Sequence, residues 1–378
     1  MTQGRRDRGM FRFREAGRFL RDLAAGIAAP AVAATTWRQR RLLVLGYHGI
    51  SLADEHLWDG TIYMSPETFR RRLNILRETG CEVLPLGVAV RQLFEGTLPP
   101  RSVALVFDDG FSDFARVAAP ILAEFGYPAT VYLCSYYAGF NRPIFDIMLR
   151  YLLWKGAQQS IALPGILSEE MFLDEDGQRN ATEKLRAAAL ENQMTAGDKD
   201  KLLAEVAKVL DLDYQELCRE RLLHTMNAEE VRAMNAQGYD IELHTHRHRV
   251  SRKQELFARE IHDNRQWIRQ TIGGADRVHF SFPGGVWEPV EQEWLTDLGV
   301  ETALTCVPAL ADGRCNKLSL PRFVDNAHVG ERAFRAWLAG SMSFFPKGTD
   351  NPTEGQILEE TIHVRSDVVR AVAARAGG

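Results

Sequence analysis

Short apolar runs that stop abruptly at polar side chains limit what this chain can become more than any other feature. The sharpest is Val103-Ala-Leu-Val-Phe-Asp-Asp-Gly110. An aliphatic and β-branched run bounded by glycine reads as a buried strand, so Asp108 and Asp109 sit where a strand leaves the core. Adjacent residues at a strand end point in different directions. One acid can therefore hold a metal ion while the other faces a reacting water. Gly110 lets the chain turn sharply behind them. Read alone, the same residues are an Asp-Gly turn with one acid capping a helix that begins near Ser112.

The pattern recurs along the chain. Arg41-Leu-Leu-Val-Leu-Gly-Tyr-His48, Glu82–Leu86, Ala129–Cys134, Tyr239–Leu243, Val278–Phe282, Glu301–Thr305 and Leu318–Phe323 read as further strands. Helical stretches separate them. Ser65-Pro66 opens one, with serine at the N-cap and proline in the first turn, and Phe69, Leu73 and Leu76 form its apolar stripe. Asn227 and Glu230 make a capping-box start for another. Such alternation implies a parallel sheet or barrel with helices outside. The rhythm breaks at about 141–225, a charged, helix-rich stretch that reads as a helical insertion able to cover or shape a site.

The barrel domain is thus expected over 41–345, with a peripheral tail at 346–378. Residues 1–40 form a basic extension, in which Arg5, Arg6, Arg8, Arg12, Arg14, Arg18 and Arg21 outweigh Asp7, Glu15 and Asp22. Phe13, Ala16, Leu20 and Leu23 recur there at helical spacing. This is an amphipathic helix suited either to peripheral contact with an anionic membrane or to packing on its own domain.

A net charge of −4 argues against a general nucleic-acid binder. Five scattered cysteines with no CxxC argue against a cysteine-based zinc site or a disulfide framework, and fit a reducing, cytoplasmic setting. No stretch reaches the roughly 18 consecutive apolar residues of a membrane span; the nearest, Leu23–Ala34, is weakly apolar, contains Pro30 and follows a basic region like that of a poor signal peptide.

Strand Tyr239–Leu243 runs straight into His244-Thr-His-Arg-His248, which gathers three of the ten histidines in five residues. On a helical turn His244 and His248 share a face and His246 points away; in an extended segment all three share one. A histidine-rich surface loop is the bland alternative. In a parallel α/β fold, however, His48, the two acids and this cluster all lie on the rim where barrel active sites sit. Two imidazoles and a carboxylate suit a divalent ion with open positions for water and substrate. A second carboxylate off the metal can take the water's proton, so the residues suggest metal-assisted hydrolysis.

Asp-Asp-Gly after a strand, His-Thr-x-x-His more than a hundred residues later, a Pro-Gly turn after another strand and an early Tyr-His strand end together resemble the polysaccharide deacetylase family, the NodB-homology carbohydrate esterases. The resemblance covers roughly 41–325 around the insertion, and its two metal motifs are specific in combination. It implies a distorted (β/α) barrel and removal of N-acetyl groups from glycan sugars with a divalent ion, usually zinc. It also implies Asp108 as general base, Asp109, His244 and His248 as metal ligands, and Thr245 as a substrate- or loop-stabilising residue. Phe282, Pro283 and Gly284 match the turn that builds one wall of the substrate groove. Trp287 is a candidate for stacking on a sugar, or for core packing.

Two family features are absent. Ser281-Phe282 stands where an arginine that orients the base is expected, and Arg322 is either its replacement or a salt-bridging barrel residue. The late Leu-x-His that supplies a general acid is also lacking; His48 is the first candidate, ahead of His328 and His363. His279 reads as a barrel-core histidine, and Glu242 as a partner holding an imidazole or as a solvent-facing acid. Two other functions are compatible with the motifs. One is deacylation of a lipid-linked sugar or small amide; the other is carbohydrate binding without catalysis.

Overall fold

The structure, a computed structural model, describes residues 3–345 apart from positions 168 and 286. The tail expected at 346–378, including His363, lies outside the described residues. The chain opens with α1 (Gln3–Ala33). Strand β1 (Leu43–Tyr47), helix α2 (Pro66–Glu78), the short β2 (Glu82–Val83), helix α3 (Leu86–Glu95) and β3 (Ser102–Phe107) follow. Then come α4 (Ala119–Phe125), β4 (Thr130–Leu133) and, outside the barrel rhythm, the longer helices α5 (Phe145–Lys155), α6 (Glu175–Glu191) and α7 (Ala196–Val209). The alternation resumes with α8 (Ala228–Ala236), β5 (Asp240–Leu243), α9 (Gln254–Ile272), β6 (His279–Ser281), α10 (Pro289–Asp297), β7 (Thr302–Leu304), β8 (Phe323–Val324) and α11 (Glu331–Ala339).

The strands form one parallel sheet in the order β7-β6-β5-β4-β3-β1-β8, with β2 pairing along the start of β3. The sheet curls until its edges meet. Leu320 bridges Leu304 on β7, and three residues later Phe323 pairs with Leu45 on β1. One short segment thus joins both edges. The sequence suggests a full strand over Leu318–Phe323, but Lys317–Ser319 is a 3-10 turn and only Phe323–Val324 is strand. Pro321 lacks the N–H that a continuous ladder requires.

Two-residue alternation assigns each side chain a face. Val44, Ala104, Val106, Tyr132 and Leu304 point into the barrel, where Leu86, Ala89, Val90 and Leu93 of α3 fill the floor. Leu43, Leu45, Leu105, Phe107, Val131, Leu133, Ile241 and Phe280 pack outward among Phe69, Leu73, Phe257 and Ile261 of the surrounding helices.

The stretch from α5 to α7 carries its own apolar core, built from Met148, Leu152, Leu185, Leu203 and Val206. Its one surprise against the sequence reading is a short hairpin, Ser160–Ile161 with Met171–Phe172. This core includes Phe111 and Tyr63, so it leans on the loops that leave β3 and β1.

Helix α1 packs along α11: Ala25 is fully buried, and Ser341 Oγ donates to its carbonyl at 2.7 Å. Phe19, Leu20 and Ile27 of α1 remain exposed. Among the described residues no helix is long and apolar enough to cross a membrane, and no disulfide joins the five cysteines.

Candidate metal centre and its carboxylate pair

The pairs Tyr47↔Phe107, Phe107↔Val131 and Leu133↔Leu243 align the upper ends of β1, β3, β4 and β5. The residue after each end, His48, Asp108, Cys134 and His244, therefore emerges on one rim. By the same alternation that turns Val106 and Tyr132 inward, these side chains face the barrel interior.

Asp109 and Gly110 both take left-handed backbone, at φ 65° and 70°. Aspartate tolerates that region and glycine enters it freely. A Cβ on residue 110 would also lie 2.4 Å from Leu133 Cδ1. The turn swings Asp109 away from Asp108 and settles the choice between cap and site, because neither acid caps the next helix. The acid used locally is Asp113, which accepts the N–H of Ile50 at 3.1 Å.

His244 and His248 converge on Asp109. Their Nε2 atoms lie 3.3 and 3.2 Å from its Oδ1. The local chain is a tight turn, with Thr245 at φ 62° and His248 at φ 56°. Left-handed backbone at a β-branched residue costs about 1–3 kcal/mol. Thr245 helps to hold the turn by accepting the Arg249 N–H at 3.0 Å. His246 points elsewhere, to Ser135 Oγ at 2.9 Å. Helix α9 fixes the loop from below: Asn264 Oδ1 accepts the His244 N–H at 3.0 Å, and Glu260 accepts the Arg247 N–H at 2.7 Å.

The donor chemistry fits a divalent ion. His244 Nδ1 lies 2.8 Å from the Ser281 carbonyl, which can only accept, so Nδ1 carries a proton and Nε2, aimed at Asp109, is the nitrogen left to bind a metal ion. Bonds of about 2.0–2.1 Å in a tetrahedral site put neighbouring ligand atoms about 3.3 Å apart. The two Nε2–Oδ1 separations match that edge. Burial pushes the Asp109 carboxyl up, but His248, His244 and His48 outweigh it and hold the group well below the usual carboxylate range.

Asp108 is 2% exposed and faces the inside of the barrel. Arg322 grips it with two bonds, Nη1 to Oδ1 at 2.8 Å and Nη2 to Oδ2 at 2.7 Å, a planar bidentate fit. Ser281 Oγ donates to Oδ1 at 3.2 Å. Burial raises this carboxyl; Arg322, His244 and His48 lower it further than burial raises it, so it remains ionised. The arginine absent from the expected motif is thus supplied by the segment that joins the barrel's edges. His48 Nε2 lies 3.9 Å from Asp108 Oδ2, and its Nδ1 is buried without a hydrogen-bond partner.

Other expected residues fall in different places. Thr245 and Phe282 are fully buried, so their side chains cannot touch a sugar: Thr245 holds the histidine turn, and Phe282 packs on Phe280, 5.0 Å between ring centres. Pro283 is buried, whereas Gly284 and Trp287 are half-buried, the indole lying 6.2 Å from the Phe282 ring. His328 stands beside Gly60. Glu242 neither holds an imidazole nor meets solvent. It is buried in the barrel, accepts the backbone N–H of His279 at 3.0 Å, and burial pushes its carboxyl up to about 8. His279 is a satisfied barrel histidine, 2.6 Å from Thr302 Oγ1.

Three neighbours of the site escaped the sequence reading: Ser281 as a donor to Asp108, Asn264 under the histidine turn, and Cys134. The last follows the same strand-end pattern as Asp108, and its parity with Tyr132 was the available signal.

The polysaccharide deacetylase family model matches residues 217–303, which contain His244 and His248. No curated protein matches the sequence. Among solved structures, the Streptococcus pyogenes deacetylase PplD, in complex with acetate, aligns with a TM-score of 0.50 at 16% identity, over 77% of this chain and 94% of that one. IcaB from Ammonifex degensii aligns at 0.48 and 16% identity, over 80% of this chain and 97% of its own. At such identity the first likeness speaks for the fold, and the distorted barrel read from the motifs is borne out. The family resemblance is borne out by the matched segment.

Proposed function

We propose that this chain, whose family match and fold are those of polysaccharide deacetylases, is a metal-dependent hydrolase that removes N-acetyl groups from an N-acetylated sugar of a polysaccharide or glycoconjugate. The observation that carries this reading is the division of labour between adjacent acids. Asp109 meets two imidazole Nε2 atoms, while Asp108 is held off them by Arg322. Two histidines and a carboxylate suit zinc. When bound, such an ion polarises a carbonyl oxygen and acidifies water.

The protein's own groups do the rest. Asp108, kept ionised and aimed by Arg322 and Ser281, accepts the proton of the water that attacks the acetamide carbon. His48, on the same rim, protonates the leaving amine, so that water and acetamide become acetate and a free amine. Gly284 and Trp287 line one wall of the groove. Asp108→Asn should abolish acetate release from an N-acetylated glycan and leave bound zinc nearly unchanged. His244→Ala should lose the zinc. Full activity in Asp108→Asn would overturn the assignment of the base.

A second reading concerns where the substrate is presented. The exposed Phe19, Leu20 and Ile27 of α1 favour peripheral contact with an anionic membrane, which would suit a lipid-linked sugar. Co-sedimentation of the full chain with anionic vesicles, lost in Phe19→Asp/Leu20→Asp, tests it. Equal binding by the variant removes α1 as the anchor.

A further inference from the structure

The metal pocket has a fourth wall of a kind that two histidines and an acid do not supply. Cys134 follows the last residue of β4, is 2% exposed and faces the barrel interior. A ligand atom of each of Asp109, Cys134, His244 and His248 lies within 4.8 Å of the other three. The thiol now donates to the His244 carbonyl at 3.3 Å, a weak bond that a stronger partner can replace. Its position is fixed by β4, which pairs with β5 along its length, so the sulfur and His244 are carried on adjacent, registered strand ends. The remaining cysteines lie outside this group: Cys306 sits against Arg322, and Cys315 is near Asp312.

Resting on the reading that Asp109, His244 and His248 hold a divalent ion, we propose that Cys134 is a fourth, sulfur donor to that ion. Binding replaces the S–H bond by a metal–sulfur bond and releases the proton to solvent. A soft thiolate selects zinc and cobalt over magnesium, calcium and manganese, for which oxygen donors are better matched. Cys134 would then complete a set of four donors with Asp109, His244 and His248.

Cobalt substitution tests this without turnover. The full-length protein, stripped of metal and loaded with one equivalent of Co(II), should show both visible d–d bands and a near-ultraviolet thiolate-to-cobalt charge-transfer band. Cys134→Ser and Cys134→Ala should keep the visible bands, lose the charge-transfer band and show a smaller preference for zinc over manganese in competition. Both variants retain Cys81, Cys218, Cys306 and Cys315, so a band from a stray thiol would survive in them. Visible bands with no charge-transfer band in the wild type, or a charge-transfer band unchanged in both variants, would overturn the proposal and leave the three-ligand site standing. Absence of bound cobalt in the wild type would overturn both.

Discussion

At the scale of single residues, Asp108 depends on a partner 214 positions away. Asp108 and Arg322 are almost fully buried and pair through two short bonds. Breaking a buried pair by removing one member costs about 3–5 kcal/mol, because an uncompensated charge remains. Arg322→Met should therefore unfold at lower denaturant than Arg322→Lys, and both should lose activity, since lysine keeps the charge but not the planar fork. Denaturation midpoints together with acetate release check this; an Arg322→Lys protein with wild-type kcat would show that charge alone, not orientation, is what Asp108 requires. Double substitution with Asp108→Asn should cost less than the two single losses added together, because the residues are in contact.

At the scale of elements, the strand ends were legible and their neighbours were not. His48, Asp108, Asp109 and His244 each follow an apolar run, so period and polarity alone bring them to one rim. Arg322 was ambiguous because its partner is decided by how the curled sheet closes, through Leu320 and Phe323 rather than through a full strand. The spacing of Cys134 along the chain carries no signal, because its neighbours come from strand register. Motif position puts Phe282 in the groove wall and Thr245 at the substrate or the loop; burial leaves Phe282 a supporting role and Thr245 the loop.

The helical stretch meets the barrel at His224. Its carbonyl accepts the Ser112 N–H at 2.8 Å, and its Nδ1 donates to the Leu222 carbonyl at 2.8 Å. Burial is the main cause that pulls this imidazole down to about 4. A depressed histidine is neutral when folded but takes a proton when unfolded, so its contribution is complete above the unfolded value of about 6.5 and falls away as pH drops towards 4. The loss approaches about 3 kcal/mol across that window. His224→Gln should therefore show a smaller fall in unfolding free energy between pH 7 and pH 4.5 than the wild type. Parallel urea titrations at the two pH values measure it, and equal falls would exclude His224 as the acid-sensitive joint.

At the scale of the whole molecule, stability and chemistry are placed at opposite ends of the barrel. The candidate metal-ligating side chains gather past the upper ends of β1, β3, β4 and β5. Helix α1 and α11 instead line a groove of about 860 Å³ with Thr79, Cys81 and Arg101, residues at the end of α2 and just before β2 and β3, where the strands begin. Ion pairs Arg71–Glu331 and Arg335–Glu78 tie α11 to α2 beside that groove; being exposed, they contribute little individually. The apolar contact is the stronger attachment, and Ala25 is at its centre with no exposed surface. Ala25→Asp places an unpaired charge there and should cost about 1–3 kcal/mol. The expected result is a lower Tm with unchanged bound-metal content and unchanged kcat at temperatures where the variant remains folded. Loss of bound metal from folded Ala25→Asp protein would mean that the packing of α1 reaches the upper rim through the sheet, and that the two ends of the barrel are not independent.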